Sequence, residues 1–170
     1  MEDFEIEFYA NIGLLTVRFA QMENNLCQII GKMINSNDPT IAFTIIKDNT
    51  LDKNKKLLQD LNHIKGIEVV QINKLIEKIK GVQKQRNLCV HGIWGKPFIT
   101  DTGIRALCES RKISYSEEKD KSGKVVSKHW KFNEFSENDL VSIKQQIGIL
   151  DEIIGIEEVL LATFENENDN

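Results

Sequence analysis

Apolar residues recur along the first part of the chain in steps of three and four. From Phe8 the series runs Ile12, Leu15, Phe19, Met22, Leu26, Ile29, Ile30 and Met33. One face of a 3.6-residue repeat produces that spacing, so an amphipathic helix is expected from about residue 4 to 35. Asn35-Ser36-Asn37-Asp38-Pro39 ends it with turn-formers and a proline. The apolar run Thr40 to Ile46 fits a short helix or an extended link. Thr50 stands where an N-cap belongs, ahead of a second helix over Lys53–Ile64 that Gly66 stops. Lys53, Lys55 and Lys56 are expected on its solvated face. A third helix, Val69 to Ile93, carries Ile72, Leu75, Ile76, Ile79, Val82, Cys89, Val90 and Ile93 as its stripe. Gly92, Gly95 and Pro97 punctuate its end.

The pattern changes over residues 98–135. Ile104–Cys108 and Lys112–Tyr115 precede a charged turn, Glu117 to Lys124, and Val125–Phe132 follows with β-branched and aromatic alternation. That reads as a hairpin or small sheet. Ser136 and Asp139 then resemble an N-cap and its N3 partner for a last helix running to about Phe164. Its stripe is Leu140, Ile143, Ile147, Leu150, Ile154, Glu157 or Glu158, and Leu161. Three long helices with a shorter second one pack most simply as an antiparallel bundle. The sequence therefore predicts a mainly α fold: an antiparallel four-helix-type bundle with a small β-hairpin inserted before the last helix. One domain is expected over 1–164, with the insertion at about 98–135 and a disordered acidic tail over 165–170.

Composition adds few constraints. At 170 residues, with 41% hydrophobic and 28% charged, the chain suits one ordinary core. Its acidic first residues do not form a signal peptide, and no apolar run approaches a membrane span. Cys27, Cys89 and Cys108 are odd in number and irregularly spaced, which fits free thiols in a reducing cytoplasm. The net charge of -4 argues against tight nonspecific nucleic-acid binding but leaves room for a small site that engages RNA briefly.

Candidate chemistry concentrates at the end of the third helix, in Arg86-Asn87-Leu88-Cys89-Val90-His91. Counting ~100° per residue from Ile72, the apolar stripe and Arg86 both centre near ~320°. A guanidinium inside a packing stripe must be paired to be tolerated. Asn87 and His91 are i, i+4 neighbours on another face. Arg86 and His91 stand about 140° apart on that wheel; arginine is long enough to reach round, but one helix does not stack the two groups directly, which suggests that a second copy of the helix completes the group. Cys89 and His91, two residues apart, point to different sides of a helix and make no metal pair. No phosphate loop, acidic metal cluster or cofactor motif is present, so no metal and no cofactor are expected. His63 and His129 read as surface residues. Lys119, Lys121, Lys124, Lys128 and Lys131 make the hairpin locally basic, fitting a solvated turn or RNA phosphates.

The Arg-Asn-x-x-x-His motif at the end of a third helix resembles the HEPN superfamily, the higher-eukaryote and prokaryote nucleotide-binding helical domains. The continuation His91-Gly92-Ile93-Trp94-Gly95 is similar to small bacterial members, and Phe19-Ala20-Gln21-Met22-Glu23 resembles their aromatic-x-x-x-Glu pattern. The resemblance implies a metal-independent endoribonuclease acting as a homodimer. It would cut by 2'-hydroxyl attack to a 2',3'-cyclic phosphate, as a toxin or phage-defence effector. His91 would move protons, Arg86 would bind the charged phosphate and Asn87 would orient the group. Glu23 would hold Arg86, with Trp94 supporting. An antitoxin or neighbouring-gene protein is the implied partner beyond RNA. Plainer roles stand beside these: a structural Arg86–Glu23 ion pair, His91 as a C-terminal helix cation, Asn87 as surface, Trp94 and Cys89 as core. On that basis the chain is instead a noncatalytic helical module that binds a nucleotide, RNA or a partner protein.

Overall fold

The computed structural model describes residues 1–35, 38–66 and 69–166. Helix α1 spans Asp3–Ile34, opened by the Glu2 backbone N–H donating to the Glu5 carboxylate. Its stripe is the core: Phe8, Leu15, Phe19, Met22, Leu26, Ile29, Ile30 and Met33 are all buried. Helix α2 (Pro39–Ile46) starts where Asp38 accepts from the Thr40 N–H at 3.1 Å, so the Thr40–Ile46 run is helical. Helix α3 (Leu51–Lys65) is capped by Thr50 accepting from the Lys53 N–H and stopped by Gly66 at φ +67°, a left-handed turn that glycine makes without a Cβ clash. Lys55 departs from the expected solvated face. It is buried, ion-paired with Asp52 at 2.9 Å and bonded to Gln83 on the next helix. Among the described residues no helix is long and apolar enough to cross a membrane.

Helix α4 runs Val69–His91 and ends two residues before the expected Ile93. The Gly92 N–H still bonds the Leu88 carbonyl at 2.8 Å. A Cβ at Gly92 would collide with the Cys108 sulfur and that same carbonyl. Only glycine lets the strand pack this closely against the helix end. The chain then enters β1 (Ile93–Trp94), β2 (Phe98–Thr100), β3 (Gly103–Lys119) and β4 (Val125–Asp139). β3 is the centre of one antiparallel sheet, with β1 and β2 in succession along one edge and β4 along the other. β4 passes directly into α5 (Leu140–Asn166).

This corrects the expected mainly α bundle with one small hairpin. Strands make up 22% of the chain. β3 and β4 are 17 and 15 residues long, so the fold is helices joined to a four-stranded antiparallel sheet. Residues 136–139 belong to β4, and the cap of α5 is Asp139, which accepts from the Ser142 N–H at 2.8 Å. α5 continues through residue 166; the rest of the expected tail, residues 167–170, lies outside the described residues, as do residues 36, 37, 67 and 68 and the side chain of Val90.

The helix directions are corrected too. Lys144 bonds Glu7 at 2.6 Å and Arg18 bonds Asp151 at 2.8 Å. Residue numbers rise together along α1 and α5, so these two helices run parallel, whereas the first and last helices of an up-and-down bundle run opposite. The sheet is the reason. α4 finishes beside the start of α1, where Trp94 meets Phe8 edge-on and Lys96 pairs with Glu5. The sheet then returns the chain to that same end before α5 begins.

Of the two acids left open for the α5 stripe, Glu157 is the inward one, at 0% exposure. Burial pushes its carboxyl up to about 9, against the pull of the neighbouring Asn25 amide. Its folded value lies above the unfolded one. Between roughly pH 4.5 and 9 the folded state therefore holds a proton that the unfolded chain releases, and stability falls as pH rises through that window. At pH 8 the cost is on the order of 1–4 kcal/mol, from about 1.4 kcal/mol per unit less relaxation. Glu157→Gln should match wild type near pH 5 and be more stable at pH 8 by that order. Denaturant melts at the two pH values check this; parallel wild-type and variant curves would remove the claim.

Candidate active site

Arg86 projects from the packing side of α4 with its side chain 22% exposed. Opposite it on α1, one turn beyond the buried Phe19, stands Glu23. The pairing is bidentate: Arg86 Nε donates to Glu23 Oε1 at 2.7 Å and Nη2 donates to Oε2 at 3.3 Å. The matched fork is the geometry in which a guanidinium and a carboxylate satisfy each other away from bulk water. It commits the inner edge of Arg86 to α1. The outer edge keeps Nη1 and the second hydrogen of Nη2.

That outer edge lies against the rest of the motif. Arg86 Nη1 is 3.3 Å from Asn87 Oδ1 and 3.5 Å from His91 Nε2. Donation to Nε2 requires the ring tautomer with its hydrogen on Nδ1. Both contacts are long beside the 2.7 Å bond to Glu23, so an incoming anion displaces them more readily than the Glu23 clamp. Asn87 and His91 are exposed. The ~140° offset on the wheel thus did not keep Arg86 and His91 apart: the long arginine side chain reaches round, and one chain assembles the trio.

Asn87, Leu88 and His91 form one side of a cleft of 740 Å³, together with Lys84 and Gln85. The facing wall is sheet: Ser110 of β3 and Glu134, Ser136, Glu137 and Asn138 of β4. Arg105 engages Glu137 by an ion pair, whereas Glu134 makes no ion pair among the described residues. These wall residues were missed in the sequence. Ser136–Asp139 matched a helix cap, and the register that pairs Ser110 with Glu134 and Cys108 with Ser136 is a long-range fact. A second hollow, of 690 Å³ at the α3–α4 turn, contains no part of the motif.

Trp94 is not brought to the cleft. It lies half-buried on β1 and packs against the core, with ring centroids 5.8 Å from Phe8. The three thiols are buried and burial raises each, Cys89 to about 12, so none is a nucleophile near neutral pH. Among the described residues no group of three or more His, Cys, Asp or Glu stands together to hold a metal ion. Comparison with protein-family models, curated proteins and solved structures finds no match.

The geometry separates two variants. Arg86→Ala removes stem packing and leaves the Glu23 carboxylate half-buried without its cation. It should destabilise the fold by about 1–3 kcal/mol, the pair being partly screened by solvent. His91→Ala removes an exposed ring with one long contact and should cost within about 1 kcal/mol. Thermal melts compare the two directly; equal losses would contradict the described clamp.

Proposed function

We propose that this protein is a HEPN-type, metal-independent endoribonuclease. The observation that carries the reading is the outer edge of Arg86, held by Glu23 and presented beside Asn87 and His91, two residues that line the cleft. In the proposed reaction an RNA 2'-hydroxyl attacks the adjacent phosphorus and the bond to the 5'-oxygen breaks. A base takes the hydroxyl proton, an acid returns one to the leaving oxygen, and a 2',3'-cyclic phosphate and a 5'-hydroxyl result. His91 is suited to one of these transfers. Arg86 stabilises the charge that builds on the phosphate, and Asn87 offers a neutral hydrogen-bonding group. The resemblance also implies a homodimer with facing helix ends and an antitoxin or neighbouring-gene partner, and the three free thiols fit a cytoplasmic site of action. Since one chain already assembles the trio, a second copy is needed only to provide a facing wall.

One observation favours a different class. Glu134 and Glu137 stand in the cleft wall and the chain is acidic overall, which opposes an extended phosphate backbone. On that view the protein is a noncatalytic module binding a nucleotide, RNA or partner protein through the same cleft.

Incubation with mixed-sequence RNA in EDTA distinguishes the two. The nuclease reading expects fragments with cyclic phosphate ends, a rate nearly unchanged by chelation, and a drop of roughly 10²–10⁴ for His91→Ala. Arg86→Lys should fail as well, since an ammonium cannot make the fork to Glu23 and present a second edge. Asn87→Ala should be milder. A substrate with hydrogen in place of the scissile 2'-hydroxyl should not be cut; cleavage at the RNA rate would rule out the proposed chemistry, and no cleavage of any RNA would favour the binding module.

A further inference from the structure

Beyond residue 111 the β3–β4 hairpin continues as a two-stranded arm to the Asp120–Lys124 turn, with residues 113–124 all exposed. The arm is unlike the rest of the chain. Residues 112–133 contain six lysines and three acids, a net +3, so the remaining chain carries -7 of the total -4. Lys119, Lys121, Lys124, Lys128 and Lys131 make no ion pair among the described residues, although elsewhere lysines pair repeatedly with acids. Midway along the arm, Tyr115 and Trp130 are directly opposed in the ladder, with ring centroids 4.7 Å apart. Both remain open to solvent, at 42% and 58% exposure.

The face on which they lie decides the argument. Side chains alternate along a strand, so residues two apart share a face. β4 is regular from Asn138 to Ser127, because the register shift near residue 112 places its extra residue in β3. Of the β4 residues that line the cleft, Asn138, Ser136 and Glu134 share one face and Glu137 alternates from them; Trp130 and Lys128 continue the face of the three. From the cleft-lining Glu134 to Trp130 is four residues on the regular strand, about 13 Å. The aromatic pair therefore sits on the cleft side of the ribbon, a few nucleotides from His91. Glu117 shares this face and accepts from the Tyr115 hydroxyl at 2.5 Å, which holds that ring in place.

We propose that this arm binds single-stranded RNA, stacking bases on Tyr115 and Trp130, meeting phosphates with its lysines and leading the strand toward the cleft beside Asn87 and His91. Flat aromatic faces and flexible cations are the two features from which sequence-tolerant single-strand binding is built. A local positive charge on an acidic body lets RNA engage this one surface without coating the molecule. The direction of the strand rests on the nuclease reading; the binding surface does not.

The test is fluorescence anisotropy of the full chain with a labelled 12-nucleotide oligouridine and its all-deoxy analogue at low salt, using His91→Ala to prevent cutting. Both oligonucleotides should bind within a few-fold of each other, because stacking and phosphate contacts do not depend on the 2'-hydroxyl. Adding Trp130→Ala should weaken binding roughly 5- to 100-fold, and adding Lys128→Ala should lower the salt slope by about 0.7. Unchanged affinity in both variants, or no binding by the parent, would overturn the arm. So would a Trp130→Ala variant that turns a dimer into a monomer yet binds RNA normally, since the face would then join two copies. The outcomes separate from those for cleavage: binding through the arm without cutting refutes the nuclease alone, and cutting with arm variants unaffected refutes the arm alone.

Discussion

The guanidinium of Arg86 must be matched by a carboxylate, and the arrangement of the cleft follows from how Glu23 meets that need. Arg86 occupies a position on α4 that packing would otherwise give to an aliphatic residue. Its charge is tolerated there because α1 supplies both oxygens of Glu23 in a fork. The pair fixes the rotation of α4 about its own axis relative to α1. With that rotation set, Asn87 and His91 face away from α1 and toward the sheet. A neutral apolar pair would pack as well or better but would leave no cationic edge beside Asn87 and His91.

A second constraint acts at the other end of the motif. Gly92 allows the sulfur of Cys108 to sit where a side chain would be, bringing β3 against the last turn of α4. That contact places Ser110 and the β4 residues opposite His91, and so turns a helix end into a cleft. It also explains the parallel course of α1 and α5. The chain leaves α4 at the end where α1 begins, the sheet is anchored there, and α5 starts from it. Glu157, buried along α5, shows that this core accepts an ionisable group by keeping it protonated rather than by pairing it.

The helices were legible because their period is local. The α1 stripe, the Thr50 cap and the Gly66 stop need only neighbouring residues to be read. Arg86 stood out for the same reason, as a charge in an apolar stripe, whereas Glu23 was reached only through the resemblance of Phe19–Glu23 to the aromatic-x-x-x-Glu pattern. What escaped depends on distant residues. Ser136 to Asp139 carry polar groups at capping spacing, and only pairing with β3 makes them a strand. Helix direction was invisible because it depends on where the sheet returns the chain. The helical wheel sets Arg86 and His91 apart because it records where Cα–Cβ bonds point, whereas arginine, long enough to reach round, carries its charge several bonds further out.

The two walls of the cleft differ in chemistry, and under the ribonuclease reading the difference has a use. The helix side offers Lys84 and His91, the latter in contact with the outer edge of Arg86, and suits an anion. The sheet side offers Ser110, Ser136 and Asn138, neutral groups that both donate and accept, beside the carboxylate of Glu134. A carboxylate repels phosphate but accepts hydrogen bonds from the amino group of a base. The other wall acid, Glu137, is matched by Arg105 and adds less repulsion. A nucleotide entering this cleft is therefore sorted by charge, with phosphate toward α4 and base toward β4. On the ribonuclease reading that orientation would carry the scissile phosphate toward His91 and penalise the reverse pose, so the acidic wall that weakens binding overall would also select among bound orientations.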